Sequence, residues 1–179
     1  MLSELDVLKL VSERLSNNRF QFMLTGSFAL AYYATPRMTR DLDIVVDLRE
    51  TDVERLAGVF LTDFYLDPDD ARAAVVAQRM FNLMHLETGI KVDFIVRKGT
   101  KYRKMEFLRR RAVSFSGVET FIVSREDLIL SKLVWAAETN SEMQLRDIKS
   151  LVHESLDQVY LRHWAPSLGV ATTLEKVLT

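Results

Sequence analysis

The sequence predicts an α/β or α+β fold, in which a mixed sheet flanked by helices is followed by a helical C-terminal lobe. Over about residues 1–123, short apolar runs typical of strands alternate with segments of helical spacing. From about 124 to 179 the apolar spacing is helical throughout. A length of 179 residues suits one folded unit, with its sheet core at 1–123 and its lobe at 124–179.

Composition favours a soluble, cytoplasmic protein that does not enter a membrane. The net charge of −1 argues against a protein that coats nucleic acid non-specifically. The chain has no cysteine, which excludes disulfides and thiolate metal sites and fits a reducing compartment. No apolar run approaches the ~18 residues of a membrane span. Met1 to Leu10 lacks the basic start of a signal peptide.

Start and stop signals place the elements in order. Ser3 to Asp6 has capping-box spacing and opens a helix that ends near Asn17. A strand at 21–24, a Gly-Ser turn and a helix at 28–33 follow, and Pro36 stops that helix. The later predicted elements are a strand at 41–47, helices from 52 and from 67, hairpin strands at 81–86 and 90–96, a basic, partly helical stretch at 97–111, strands at 112–115 and 118–123, and helices from 124 that break near Asn140 and Pro166.

The Gly26-Ser27 turn is the first candidate functional feature. It lies between a strand and a helix, whose first N–H groups and partial positive charge suit a phosphate group. No Gly-Lys-Ser/Thr follows, so the turn is not a P-loop. A turn and a helix cap without any ligand are the alternative interpretation.

Asp41-Leu42-Asp43 is the second feature. Alternation along a strand puts Asp41 and Asp43 on one face and turns Leu42 toward the core. Two carboxylates on one face suit a hard divalent cation such as Mg²⁺, which also leaves coordination sites for substrate phosphates. A solvated strand edge is the alternative.

Asp93 is a single acid in an apolar strand, on the same face as Lys91 and Ile95. It could supply the third carboxylate of a two-metal site or act as a general base. The alternative is an aspartate on an edge strand that pairs with Lys91.

Lys132 lies within an apolar stripe of a predicted helix, where an unpaired lysine is unusual. Its ammonium could reach a triphosphate. Alternatively, its stem covers the core while the ammonium stays in water.

Together, Gly26-Ser27, Asp41-Leu42-Asp43 and a later Asp93 resemble the nucleotidyltransferase (DNA polymerase β-like) superfamily. The sequence is more similar still to bacterial abortive-infection (AbiE-type) toxin transferases and their minimal relatives. Pro36 to Asp43 resembles their Arg-x-Thr-x-Asp-x-Asp motif. The likeness spans about 24–151, and the helical segments that share it are Glu126-Asp127-Leu128, Lys132-Leu133 and Arg146-Asp147.

The resemblance implies a magnesium-dependent transferase, with manganese as an alternative metal. The enzyme would move a nucleoside monophosphate from a nucleoside triphosphate to an acceptor hydroxyl. Asp147 would orient Lys132 or a substrate hydroxyl, unless it forms a surface ion pair with Arg146. The implied metal ligands are Asp41, Asp43 and Asp93, which are catalytic together with Lys132, and the implied nucleotide-binding residues are Gly26, Ser27, Arg37, Thr39, Arg40, Lys132 and Asp147.

The acceptor and the partners are open at this stage. Eight of the fifteen residues at 97–111 are Lys or Arg, interleaved with Tyr102 and Phe107. Such a stretch could follow an RNA or tRNA backbone while its aromatic side chains stack on bases, or it could be a solvated helix face. A protein hydroxyl or a small molecule are the other acceptors, and the resemblance adds an antitoxin as a candidate partner. A catalytically silent binding protein and a metal-dependent phosphohydrolase are the rival functions.

Overall fold

A mixed seven-stranded sheet organises the part of the chain that the computed structural model describes, residues 2–34, 41–139 and 141–178. The strands are β1 Gln21–Leu24, β2 Asp41–Asp47, β3 Phe64–Tyr65, β4 Met80–His85, β5 Lys91–Val96, β6 Arg111–Phe115 and β7 Val118–Ile122. Their order across the sheet is β3-β4-β5-β2-β1-β7-β6. The β2–β5 and β1–β7 neighbours are parallel, and the other neighbours are antiparallel. The predicted fold class is confirmed.

Helices flank this sheet and fill the last third of the chain. They are α1 Glu4–Asn17, α2 Gly26–Tyr33, α3 Val53–Phe60, α4 Pro68–Ala77, α5 Lys101–Leu108, α6 Arg125–Thr139, α7 Glu142–Leu151, α8 Gln158–Trp164 and α9 Ala171–Leu178. The predicted stops at Pro36 and Asn140 fall outside the described residues. No helix within those residues combines the length and apolarity needed to cross a membrane.

Local signals in the sequence account for most of these bounds. Ser3 and Asp6 form the predicted capping box of α1. Asp67 caps α4, whose first residue is Pro68. The short strand β3 was not predicted, because two residues carry no periodicity and β3 forms only by pairing with β4.

Strand β2 separates the core from the candidate site. Leu42, Ile44 and Val46 are fully buried on one face, as their alternation predicts. Asp41 and Asp43 lie on the opposite face. Buried side chains from the sheet and from α6–α9 form one apolar cluster, so the last helices pack directly against the sheet region.

Candidate active site

The Gly26 turn holds Asp43 in place. The Thr25 backbone N–H donates to the Asp43 carbonyl oxygen at 2.9 Å, which joins the end of β1 to β2. Gly26 has φ +62°, and a Cβ atom there would lie 2.0 Å from Asp43 Oδ2. Only glycine combines that backbone conformation with so close an approach. The Asp43 carboxylate therefore lies against the first turn of α2, where the helix N-terminus favours negative charge.

Replacing Gly26 by alanine should displace the Asp43 carboxylate and weaken the nucleotide binding that the sequence predicts for this site by about tenfold or more. Gly117→Ala is a matched control, because Gly117 has φ +80° but no atom within 4 Å of the added Cβ. In both variants the free energy of unfolding should fall by about 1–2 kcal/mol, because alanine is strained in a left-handed backbone conformation. Calorimetry and thermal unfolding of both variants check this, and equal binding by the two would contradict it.

Three carboxylates meet on one face of the sheet. Asp43 on β2 and Asp93 on β5 are direct partners in the parallel pairing, and Asp41 is paired with Lys91. Burial deepens along the series, since Asp41 is exposed, Asp43 is half-buried and Asp93 is 6% exposed. Asp43 and Asp93 therefore lie side by side on adjacent strands.

Asp93 already has partners for both of its oxygens. The Lys91 ammonium lies 2.9 Å from Oδ1 and donates to Oδ2 at 3.0 Å. The Asn82 side-chain amide also donates to Oδ1. The alternative in which Asp93 pairs with Lys91 is therefore confirmed. The same alternative put Asp93 on an edge strand, and that part is wrong, because β5 lies between β4 and β2.

Asp43 is the carboxylate whose pKa is most informative. Burial, then the charges of Asp93 and Asp41, raise its pKa from 3.8 to about 6, against the opposing effect of Lys132 and Lys91. The site thus concentrates negative charge in a partly dehydrated place. A cation bound there would relieve the repulsion.

The oxygen donors of Asp41 and Asp43 fit Mg²⁺, a hard cation that prefers carboxylates. Across residues 2–34, 41–139 and 141–178, however, no three acidic or histidine side chains stand ready to enclose a metal ion. The contacts of Asp93 explain this, because an ammonium and an amide hold the oxygens that a third ligand would offer.

Lys132 is buried and paired. Its side chain is 3% exposed, and its ammonium donates to Asp147 Oδ2 at 2.7 Å and to Gln144 Oε1 at 3.0 Å. The interpretation in which the ammonium stays in water is therefore wrong. The surface pair of Arg146 with Asp147 is also wrong, since Asp147 is 6% exposed and faces Lys132 on the neighbouring helix.

A cavity of about 270 Å³ joins these elements. Gly26, Asp43 and Lys132 contribute to its wall. The remaining wall is largely apolar, with side chains of β2, β5 and α6 and the exposed indole of Trp135, and it also carries charged and polar side chains. These are Thr25, Arg97, Lys98, Arg103, Glu106, Ser131 and Glu138. Its dimensions are near the lower end of small-molecule sites, about 300–1,000 Å³.

Two features of the cavity wall, the Trp135 indole and a hydrogen-bond network around Glu106, were not predicted from the sequence. Trp135 lies three residues after Lys132 on α6, a spacing that puts both on one helix face. Arg103 donates to both oxygens of the buried Glu106, and the Ser131 hydroxyl donates to the same carboxylate. That network joins α5 to α6 along the cavity wall, but no spacing in the sequence connects 103 with 131.

The basic stretch at 97–111 is largely engaged in internal contacts. Tyr102 and Phe107 are 3% and 5% exposed, so the expectation that they stack on bases is wrong. Arg103 and Arg109 form ion pairs with Glu106 and Asp127. The predicted nucleotide-binding residues Arg37, Thr39 and Arg40 lie outside the described residues.

Solved structures share this arrangement of strands and helices. An antigenic nucleotidyltransferase-like protein from Paracoccidioides brasiliensis superposes with a TM-score of 0.59 and 16% identity, over 98% of this chain and 92% of that one. The chain has the nucleotidyltransferase fold.

Two antibiotic-modifying proteins share the nucleotidyltransferase fold with it. The lincosamide antibiotic adenylyltransferase LnuA, in a lincomycin-bound structure, matches with a TM-score of 0.56 and 12% identity, over 84% of this chain and 96% of that one. ANT(2″)-Ia in complex with adenylyl-2″-tobramycin matches with a TM-score of 0.55 and 11% identity, over 93% of this chain and 96% of that one. No protein-family model and no curated protein matches the sequence.

Proposed function

We propose that this chain is a magnesium-dependent nucleotidyltransferase that moves a nucleoside monophosphate from a nucleoside triphosphate to an acceptor hydroxyl. One observation carries the proposal: the Asp43 carboxylate lies between the Gly26 turn, Asp93 and the cavity that Lys132 lines. The shared fold supports it. A purely structural protein gains nothing from crowding three like charges on one face of a sheet.

The roles of the residues follow from their positions. The first N–H groups of α2 have no partner within the helix, so they and Ser27 would hold the triphosphate. Asp41 and Asp43 would hold Mg²⁺, which when bound neutralises charge on the phosphates and on the leaving pyrophosphate. Lys132, held by Asp147, would add fixed positive charge beside the same phosphates.

In the transfer step the acceptor oxygen forms a bond to the α-phosphorus while the bond to pyrophosphate breaks. The acceptor hydroxyl gives its proton to a water molecule, and this transfer is easier where positive charge lowers the hydroxyl pKa. Arg37 and Arg40, which precede Asp41 in the sequence, would add positive charge beside the leaving pyrophosphate. We place Thr39 of the same motif beside the nucleotide.

The basic stretch and the cavity both bear on the choice of acceptor. The burial of Tyr102 and Phe107 removes the argument for base stacking on an RNA acceptor. An apolar cavity with one exposed indole instead favours a small acceptor with a hydroxyl. LnuA is a lincosamide antibiotic adenylyltransferase, and ANT(2″)-Ia is in complex with adenylyl-2″-tobramycin, so both of those proteins bind small molecules. A tRNA acceptor, a manganese-dependent reaction and an antitoxin partner stay as predictions.

A labelled triphosphate distinguishes the proposal from its rivals. With an α-phosphate label, magnesium and a panel of hydroxyl acceptors that includes small molecules and tRNA, a transferase gives labelled acceptor and pyrophosphate. A phosphohydrolase gives free phosphate or nucleotide without labelled acceptor. A silent binding protein gives neither, even though it binds the triphosphate, and either of these results would exclude the proposed reaction.

A further inference from the structure

Lys91 stands at the point where the three carboxylates of the site converge. It lies on β5 two residues before Asp93 and is the direct strand partner of Asp41. Its ammonium contacts both oxygens of Asp93, at 2.9 and 3.0 Å. A lysine ammonium is cationic at neutral pH, so Lys91 brings one positive charge to this group of acids.

We infer that the Lys91 ammonium takes the place of a second metal ion at Asp93, so that the site binds a single divalent cation through Asp41 and Asp43. This inference rests on the proposed function and narrows its metal requirement from two ions to one. Lys91 is then a positioning residue for Asp93.

Displacing Lys91 from Asp93 would be difficult for an incoming ion. Asp93 is nearly buried, and both of its oxygens already accept hydrogen bonds from Lys91 and Asn82. Lys91 lies on the same strand face, about 7 Å along the backbone from Asp93. An incoming ion would therefore have to break the contact of the ammonium with Asp93 before it could bind there.

Manganese stoichiometry tests the inference without an activity assay. The probe is Mn²⁺ with a non-hydrolysable nucleoside triphosphate, followed by equilibrium dialysis and by paramagnetic resonance, in which two neighbouring Mn²⁺ ions show spin–spin coupling. The native chain should bind one Mn²⁺ and show no coupling. Lys91→Gln should bind a second ion and show coupling, whereas Lys91→Arg, which keeps the charge, should stay at one.

Lys104→Gln is the matched control, because Lys104 is exposed on α5, a helix that carries none of the three carboxylates. It should bind one ion, and thermal unfolding confirms that each variant is folded. Two coupled ions in the native chain would overturn the inference and leave the proposed function intact. A single ion in Lys91→Gln would also overturn it. No bound ion in the native chain would remove the inference and the magnesium-dependent function together.

Discussion

Replacing Asp43 by asparagine should abolish metal-dependent transfer and, at neutral pH, raise the free energy of unfolding. The carboxylate is held beside Asp93 and Asp41 in a partly buried place, where its negative charge is unfavourable for folding. Removing that charge relieves the repulsion but also removes a metal ligand. We expect transfer to fall by about a thousandfold or more, because the metal supplies much of the charge stabilisation in such a step.

The stabilisation by Asp43→Asn depends on pH in a defined direction. The folded-state pKa is about 6 and the ordinary value is 3.8, so folding favours the protonated carboxyl. The cost of the ionised group is therefore full above about pH 6 and vanishes below about pH 4. The excess melting temperature of the variant over the native chain should be largest above neutral pH and should shrink as the pH falls.

Thermal unfolding between acid and mildly alkaline pH, together with the transfer assay, checks both parts of this expectation. Asp69→Asn is the control, since Asp69 is exposed in the first turn of α4 and far from the sheet face that carries the site. An Asp43→Asn variant that is less stable than the native chain at every pH, or that retains transfer, would contradict the account.

Replacing Asp147 alone by asparagine should destabilise the protein severely. Lys132 and Asp147 are 2% and 6% exposed, and Lys132 Nζ lies 2.7 Å from Asp147 Oδ2. The replacement removes the carboxylate that the buried ammonium contacts, and breaking a buried ion pair costs about 3–5 kcal/mol. In a chain of this size each 1 kcal/mol lowers the melting temperature by roughly 2–4 °C.

A double replacement separates the stability of this pair from its function. Lys132→Met with Asp147→Leu removes both charges and should recover most of the lost stability. Triphosphate binding should stay weak in the double variant, because the positive charge beside the phosphates is gone. The exposed pair of Lys9 with Glu13 is the control, and Glu13→Gln should change stability by less than about 1 kcal/mol. Full nucleotide binding by the double variant would show that Lys132 has only a structural role.

Sequence alone was enough to predict the sheet face that carries the site. Period-two alternation put Asp41 and Asp43 opposite Leu42, and the structure has that arrangement. Capping residues placed the starts of α1, α4 and α6 because those signals are local. Strand order could not be obtained in this way, so the pairing of Asp43 with Asp93 depended on the resemblance.

The parts that the sequence did not predict depend on contacts between distant segments. The sequence offers Lys91 as a partner of Asp93, but its position among three carboxylates follows only from the β2–β5 register, which the sequence does not reveal. The basic stretch gave the wrong expectation, because charge density along the chain does not reveal that Tyr102 and Phe107 face the core. The same limit applies to Glu106, a buried acid whose partners come from α5 and α6.

Calorimetric titration of the native chain with each of the four ribonucleoside triphosphates, with and without magnesium, tests the central claim most directly. The account predicts binding of at least one triphosphate that requires magnesium and is lost in Asp41→Asn/Asp43→Asn. Binding that is unchanged by removal of magnesium, or by the double replacement in a folded chain, would contradict it.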